Sequence, residues 1–107
     1  MSYNIELTDY FKRQVKRLAR KYPSLKKEAL HLISVLEMNP ETGTPIGNNC
    51  NKLRLAIASK GKGKSGGAGV ITHVYVVRRK VYLLSIYDKS EQENIPQSTI
   101  DAILKNI

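Results

Sequence analysis

The stretch Val70-Ile71-Thr72-His73-Val74-Tyr75-Val76-Val77-Arg78-Arg79-Lys80-Val81-Tyr82-Leu83-Leu84-Ser85-Ile86-Tyr87 decides the fold. Two runs rich in β-branched and aromatic residues flank a basic turn, which predicts strands over 70–77 and 81–87 joined as a hairpin. Just upstream, Leu53, Leu55 and Ile57 alternate with Lys52, Arg54 and Ala56, the period of a half-buried strand. Between that strand and the hairpin, residues 59–67 read Ser-Lys-Gly-Lys-Gly-Lys-Ser-Gly-Gly, a basic loop. Residues 41–51 carry Gly43, Pro45, Gly47, Asn48 and Asn49 and are expected to be a loop as well.

The N-terminal third has a different period. Residues 3–7 alternate as a short strand, and Thr8 and Asp9 then supply N-cap and first-turn chemistry. Phe11, Val15, Leu18, Ala19 and Tyr22 form one helical stripe, while Lys12, Arg13, Lys16, Arg17, Arg20 and Lys21 make the opposite face basic. Pro23 ends this helix, because the residue before a proline avoids the α region. Ser24 caps a second helix with Leu25, Ala29, Leu32, Ile33 and Leu36 as its buried stripe, stopped by Asn39-Pro40. So short a link predicts an antiparallel helical hairpin. After a polar segment over 88–97, Ile100, Ile103, Leu104 and Ile107 mark a short C-terminal helix. The order β-α-α-β-β-β-α predicts an α+β fold: a small antiparallel sheet with the helical hairpin on one face. Residues 1–107 are expected to be one domain, with the other sheet face free to carry chemistry.

Composition narrows the function. Eighteen Lys and Arg against nine Asp and Glu give a net charge of +9, which invites a polyanionic partner. No apolar run approaches the roughly 20 residues that span a bilayer, and no secretory signal is expected at the N-terminus. Cys50 is the single cysteine and has no ligand set around it in sequence, so neither a disulfide nor a metal site is expected.

The loop lysines Lys60, Lys62 and Lys64 suit phosphate contact without base specificity, as does Lys52 on the neighbouring strand. A P-loop is excluded, because Ala58 stands where the first glycine would be and a strand follows. His73 alternates with position 69 and is a candidate proton carrier, whereas His31 lies on the second helix and reads as structural. Tyr87 and Lys89 close the last strand, where the phenol can pack, stack on a base or join a proton relay. No Ser-His-Asp set or carboxylate pair stands out. The remaining chemistry uses cations and hydroxyls on phosphate, as RNA cleavage by its own 2′-OH requires. Crowding among Lys60, Lys62, Lys64 and Lys89 would lower a lysine pKa toward that task.

Several segments together resemble the RelE/HigB-type toxins of type II toxin–antitoxin systems across nearly the whole chain. They are Phe11 to Leu18, Lys21 to Leu25, Lys52 to Ile57, Lys60 to Val74 and Val81 to Ile95, with the Gly-Lys-Gly-Lys-Ser-Gly-Gly loop the most specific. The resemblance implies a microbial-RNase-like fold and a cytoplasmic mRNA endonuclease acting on the ribosome without metal or other cofactor. It also implies a cognate antitoxin as partner and no membrane. It places the catalytic positions at Arg54, position 69 and Lys89, with Tyr87 nearby, and matches Lys60, Lys62 and Lys64 to the family's basic, RNA-binding loop; His73, from its alternation, joins the catalytic candidates and Lys52 the RNA-binding ones. Relatives read Ala-Arg-Val-Ile after the double glycine, and here the run is Ala68-Gly69-Val70-Ile71. One lost transition-state donor costs on the order of a hundredfold in rate, so two readings stay open: Gly69 is native and the toxin weak or dead, or this is an attenuated copy of an active one. The alternatives are an inactive antitoxin-binding protein of the same fold and a ParE-like gyrase poison.

Overall fold

The computed structural model describes residues 2–60 and 67–107. The element order is β1 (Asn4–Leu7), α1 (Asp9–Lys21), α2 (Leu25–Met38), β2 (Thr44–Gly47), β3 (Cys50–Leu55), a 3-10 turn at Ala58–Lys60, β4 (Ala68–Tyr75), β5 (Lys80–Asp88) and α3 (Gln97–Lys105). The five strands form one sheet in the order β1-β5-β4-β3-β2. The hairpin read from sequence is its centre, with β4 antiparallel to both β3 and β5. The turn takes Val76 and Val77 out of the strand and leaves them 60% and 86% exposed. Arg79 closes it at φ 53°, its amide donating to the Val76 carbonyl at 3.1 Å.

Two expectations are corrected. The sheet is mixed, because β1 runs parallel to β5, pairing Ile5 with Val81 and Leu7 with Leu83. Parallel neighbours require a long crossover, and the chain from β1 to β5 includes both long helices. Within the segment expected to be a loop, Thr44–Gly47 forms an edge strand on β3, every residue of it exposed. An edge strand with no buried face gives no alternating signal to read.

The α1–α2 hairpin covers one face. Phe11, Leu18, Leu25 and Leu36 pack with Val70, Val81, Leu83 and Ile86 in the main core. The opposite face is only partly free, which is a third correction. The β4–β5 register passes from Ile71↔Ser85 to Thr72↔Leu83, leaving Leu84 as an extra residue in β5. Leu84 joins Cys50 and Ile71 beneath Ile100 and Ile103 of α3. The C-terminal helix thus closes one end of the second face and leaves the other end open.

Thr8 ties the first helix to the sheet. Its Oγ1 accepts from the Phe11 amide at 3.1 Å and donates to the Leu83 carbonyl at 2.9 Å. Thr8→Ala is expected to lower stability by about 1 kcal/mol, the usual value of such a cap. A urea titration with an unchanged slope and a lowered midpoint is the expected result.

Candidate functional site

Sheet register lays the second face out in three rows. Arg54, Gly69 and Tyr87 are direct cross-strand partners at the open end. Lys52, Ile71 and Ser85 form the next row, and Cys50, His73 and Tyr82 the third, the end that α3 covers. Side chains two apart on a strand share a face, so β3 presents Lys52 and Arg54 together. The same alternation separates Asp88 from Tyr87 and Lys89. Asp88 reaches Tyr22 on the helical side, while Lys89 comes close enough to Arg54 and Lys52 to feel their charge.

Arg54 is exposed and, among the described residues, has no carboxylate partner. Lys52 is half-buried, and its ammonium donates to the Asn94 side-chain carbonyl, a neutral acceptor that leaves the positive charge uncompensated. Lys89 is half-buried too. Desolvation, then the charges of Arg54 and Lys52, hold its ammonium pKa below the usual lysine value. This end of the sheet is therefore a three-cation surface in which one lysine is biased toward giving up its proton.

Tyr87 lies beneath that surface. It is only 3% exposed, and its hydroxyl has no hydrogen-bond partner among the described residues. Ser85 on the adjoining row is fully buried, its hydroxyl likewise unpartnered. Two orphaned hydroxyls on a cationic face are a standing capacity for hydrogen bonds, because buried polar groups are normally satisfied.

An anchor behind the site was not foreseen from the sequence. Asp88 is fully buried and accepts from Lys60 Nζ at 2.5 Å, Tyr22 Oη at 2.8 Å, the Ser90 amide at 2.9 Å and Ser90 Oγ at 2.7 Å. Burial alone would push its carboxyl up. The bonds from Lys60, Ser90 and Tyr22 outweigh that and hold it well below the usual carboxylate range. The Lys89 amide donates to the Gly67 carbonyl at 3.1 Å, which fixes the residue after the anchor against the start of β4. The signal in the sequence is an aspartate closing a largely apolar strand, Val81 to Tyr87.

The expected site residues therefore divide. Arg54, position 69, Tyr87, Lys89 and Lys52 share one end of one face. His73 is on that face but two rows away, roughly 13 Å along the strand, with its Nδ1 3.6 Å from Cys50 Sγ. Lys60 is turned inward, its side chain only 7% exposed, bound to Asp88 and over the Tyr22 ring. Lys62 and Lys64 lie outside the described residues. His31 is exposed on α2. Among the described residues no group of three or more His, Cys, Asp or Glu side chains is placed to hold a metal ion, and no helix is long and apolar enough to cross a membrane.

No family model matches the chain. Its fold does match solved structures. A mutant of the E. coli toxin RelE in the free state is similar over 100% of this chain and 99% of its own, with a TM-score of 0.67 at 14% identity. The toxin–antitoxin complex RelBE2 from Mycobacterium tuberculosis is similar over 82% of this chain and 99% of its own, with a TM-score of 0.57 at 13% identity. The isolated E. coli RelE toxin is similar over 99% of this chain and 100% of its own, with a TM-score of 0.53 at 13% identity. The α+β arrangement of a helical hairpin, a five-stranded mixed sheet and a short C-terminal helix is thus the fold of the RelE toxins.

Proposed function

We propose that this protein is the toxin of a type II toxin–antitoxin pair and a cytoplasmic endoribonuclease that cuts mRNA on the ribosome. The observation that carries the reading is the clustering of Arg54, Lys52 and Lys89 over the buried phenol of Tyr87, on the part of the sheet face that α3 leaves open. Arg54 and Lys52 bind the RNA backbone. Lys89, its pKa lowered, takes the proton from a 2′-hydroxyl. The new O2′–phosphorus bond forms as the bond to the 5′-oxygen breaks; the leaving oxygen takes a proton from solvent water, and the Lys89 ammonium returns its own to solvent. Arg54 stabilises the charge on the pentavalent phosphorus, with the Tyr87 phenol packed beneath it as the floor of the site. Lys60 supports the site through Asp88 rather than from the solvent side.

A cell-free translation reaction with primer extension on the mRNA tests this. Cuts within translated codons, absent when ribosomes are omitted, are expected. Intact mRNA with undiminished translation would overturn the nuclease reading. It would leave the second one, a protein of this fold that binds an antitoxin without cutting, which the bare position 69 favours. The same +9 charge suits an acidic antitoxin, and its binding should weaken steeply with salt.

A further inference from the structure

Position 69 stands at the middle of the row Arg54–Gly69–Tyr87 and carries no side chain. The space is not vacant. A Cβ built on Gly69 would overlap the Cζ and hydroxyl of Tyr87 and come within 2.7 Å of its Cε1. The tyrosine ring lies across the strand over the glycine backbone, buried at 3% exposure in a fully buried part of β5. Glycine in a strand interior weakens it unless something approaches the backbone closely, and here the ring does.

From this we infer that Gly69 is a positioning residue: it is the seat that lets the Tyr87 ring lie flat at the centre of the cationic face. The inference deepens the functional reading above, because it names what holds the phenol of that site in place. It also changes the meaning of the missing side chain. Glycine at 69 and tyrosine at 87 are a matched pair, in which the phenol occupies the volume a side chain on β4 would take. A larger residue at 69 cannot simply be added, since it displaces the ring. Gly69→Arg therefore exchanges one polar group at the centre of the site for another rather than adding one.

The test needs no RNA. Tyrosine nitration by tetranitromethane, mapped by mass spectrometry, reads the accessibility of Tyr87, and thermal melts read the packing. In the unaltered protein Tyr87 is expected to be protected relative to the exposed Tyr75. In Gly69→Ala it is expected to become reactive, with a lowered melting temperature. In the Tyr87→Ala background the same Gly69→Ala change is expected to lower the melting temperature little or not at all, since the obstructing ring is gone. Equal protection of Tyr87 in Gly69→Ala, or an undiminished loss in the Tyr87→Ala background, would overturn the inference. If Gly69→Ala alone fails to fold, recovery of folding in the double variant supports the pairing and continued failure refutes it. Failure of the mRNA-cleavage assay would leave both readouts intact, so the two readings stand or fall separately.

Discussion

Asp88→Asn is expected to destabilise the fold by about 3–5 kcal/mol, the cost of leaving one member of a buried ion pair without its partner. The side chains of Asp88 and Lys60 are 0% and 7% exposed, and their contact at 2.5 Å is the shortest ion pair among the described residues. The amide keeps the size of the carboxylate, and its one oxygen can still accept from Ser90 while its NH2 faces Tyr22 Oη, so most of the loss comes from the uncompensated Lys60 charge. Since domains are stable by only about 5–15 kcal/mol, urea unfolding should move to a far lower midpoint. Lys60→Met combined with Asp88→Asn should recover much of the loss. A loss under 1 kcal/mol in the single variant would show that the pair contributes little.

The same residue sets an acid limit. The folded pKa of Asp88 lies below its unfolded value, so the folded state binds fewer protons when the pH approaches that range. Its stabilisation is complete above the ordinary carboxylate pKa of about 4 and is lost as the pH falls below it toward the depressed folded value. Asp88→Asn should show a shallower decline of stability with acid over that window.

Arg54→Ala is expected to cut the rate of mRNA cleavage by on the order of a hundredfold, the usual cost of removing one donor from a developing oxyanion. Arg54 sits next to position 69 in the central row and is free of carboxylate partners among the described residues. Arg54→Lys should recover only part of the rate, because an ammonium cannot engage two phosphate oxygens in the planar way of a guanidinium. The arginine charge also helps to hold the Lys89 pKa down, after desolvation. Removing it should raise that pKa, measurable by NMR titration of the lysine side chain, and move the alkaline-favouring limb of the rate profile to higher pH. Cleavage at the unaltered rate would remove Arg54 from the mechanism.

Much of the site could be read from local pattern. Alternation alone sets Lys52 with Arg54, and Tyr87 with Lys89, on common faces, and the hairpin signal brings the two strands within one strand of each other. Lys60 could not be read this way. Its neighbours in the chain mark a basic loop, but its partner lies 28 residues further on and draws it inward. His73 shares the parity of position 69, which is what alternation reports, and parity says nothing of distance along the strand. The covering of its end by α3 depends on a bulge at Leu84 that has no local signature.

By itself, the sequence determined the two helices, the central hairpin, the basic character and the parity of the strand residues outside the part of β5 that the bulge at Leu84 shifts. Thr8, Pro23 and Asn39 act on their immediate neighbours, and the periods of 2 and 3.6 follow from backbone geometry that each segment carries within it. Only the tertiary structure decided that β1 lies parallel to β5, that Asp88 captures Lys60, and that the Tyr87 ring fills the space above Gly69. Those outcomes depend on competition among distant partners for the same volume and the same hydrogen bonds, and that competition is settled only when the whole chain packs.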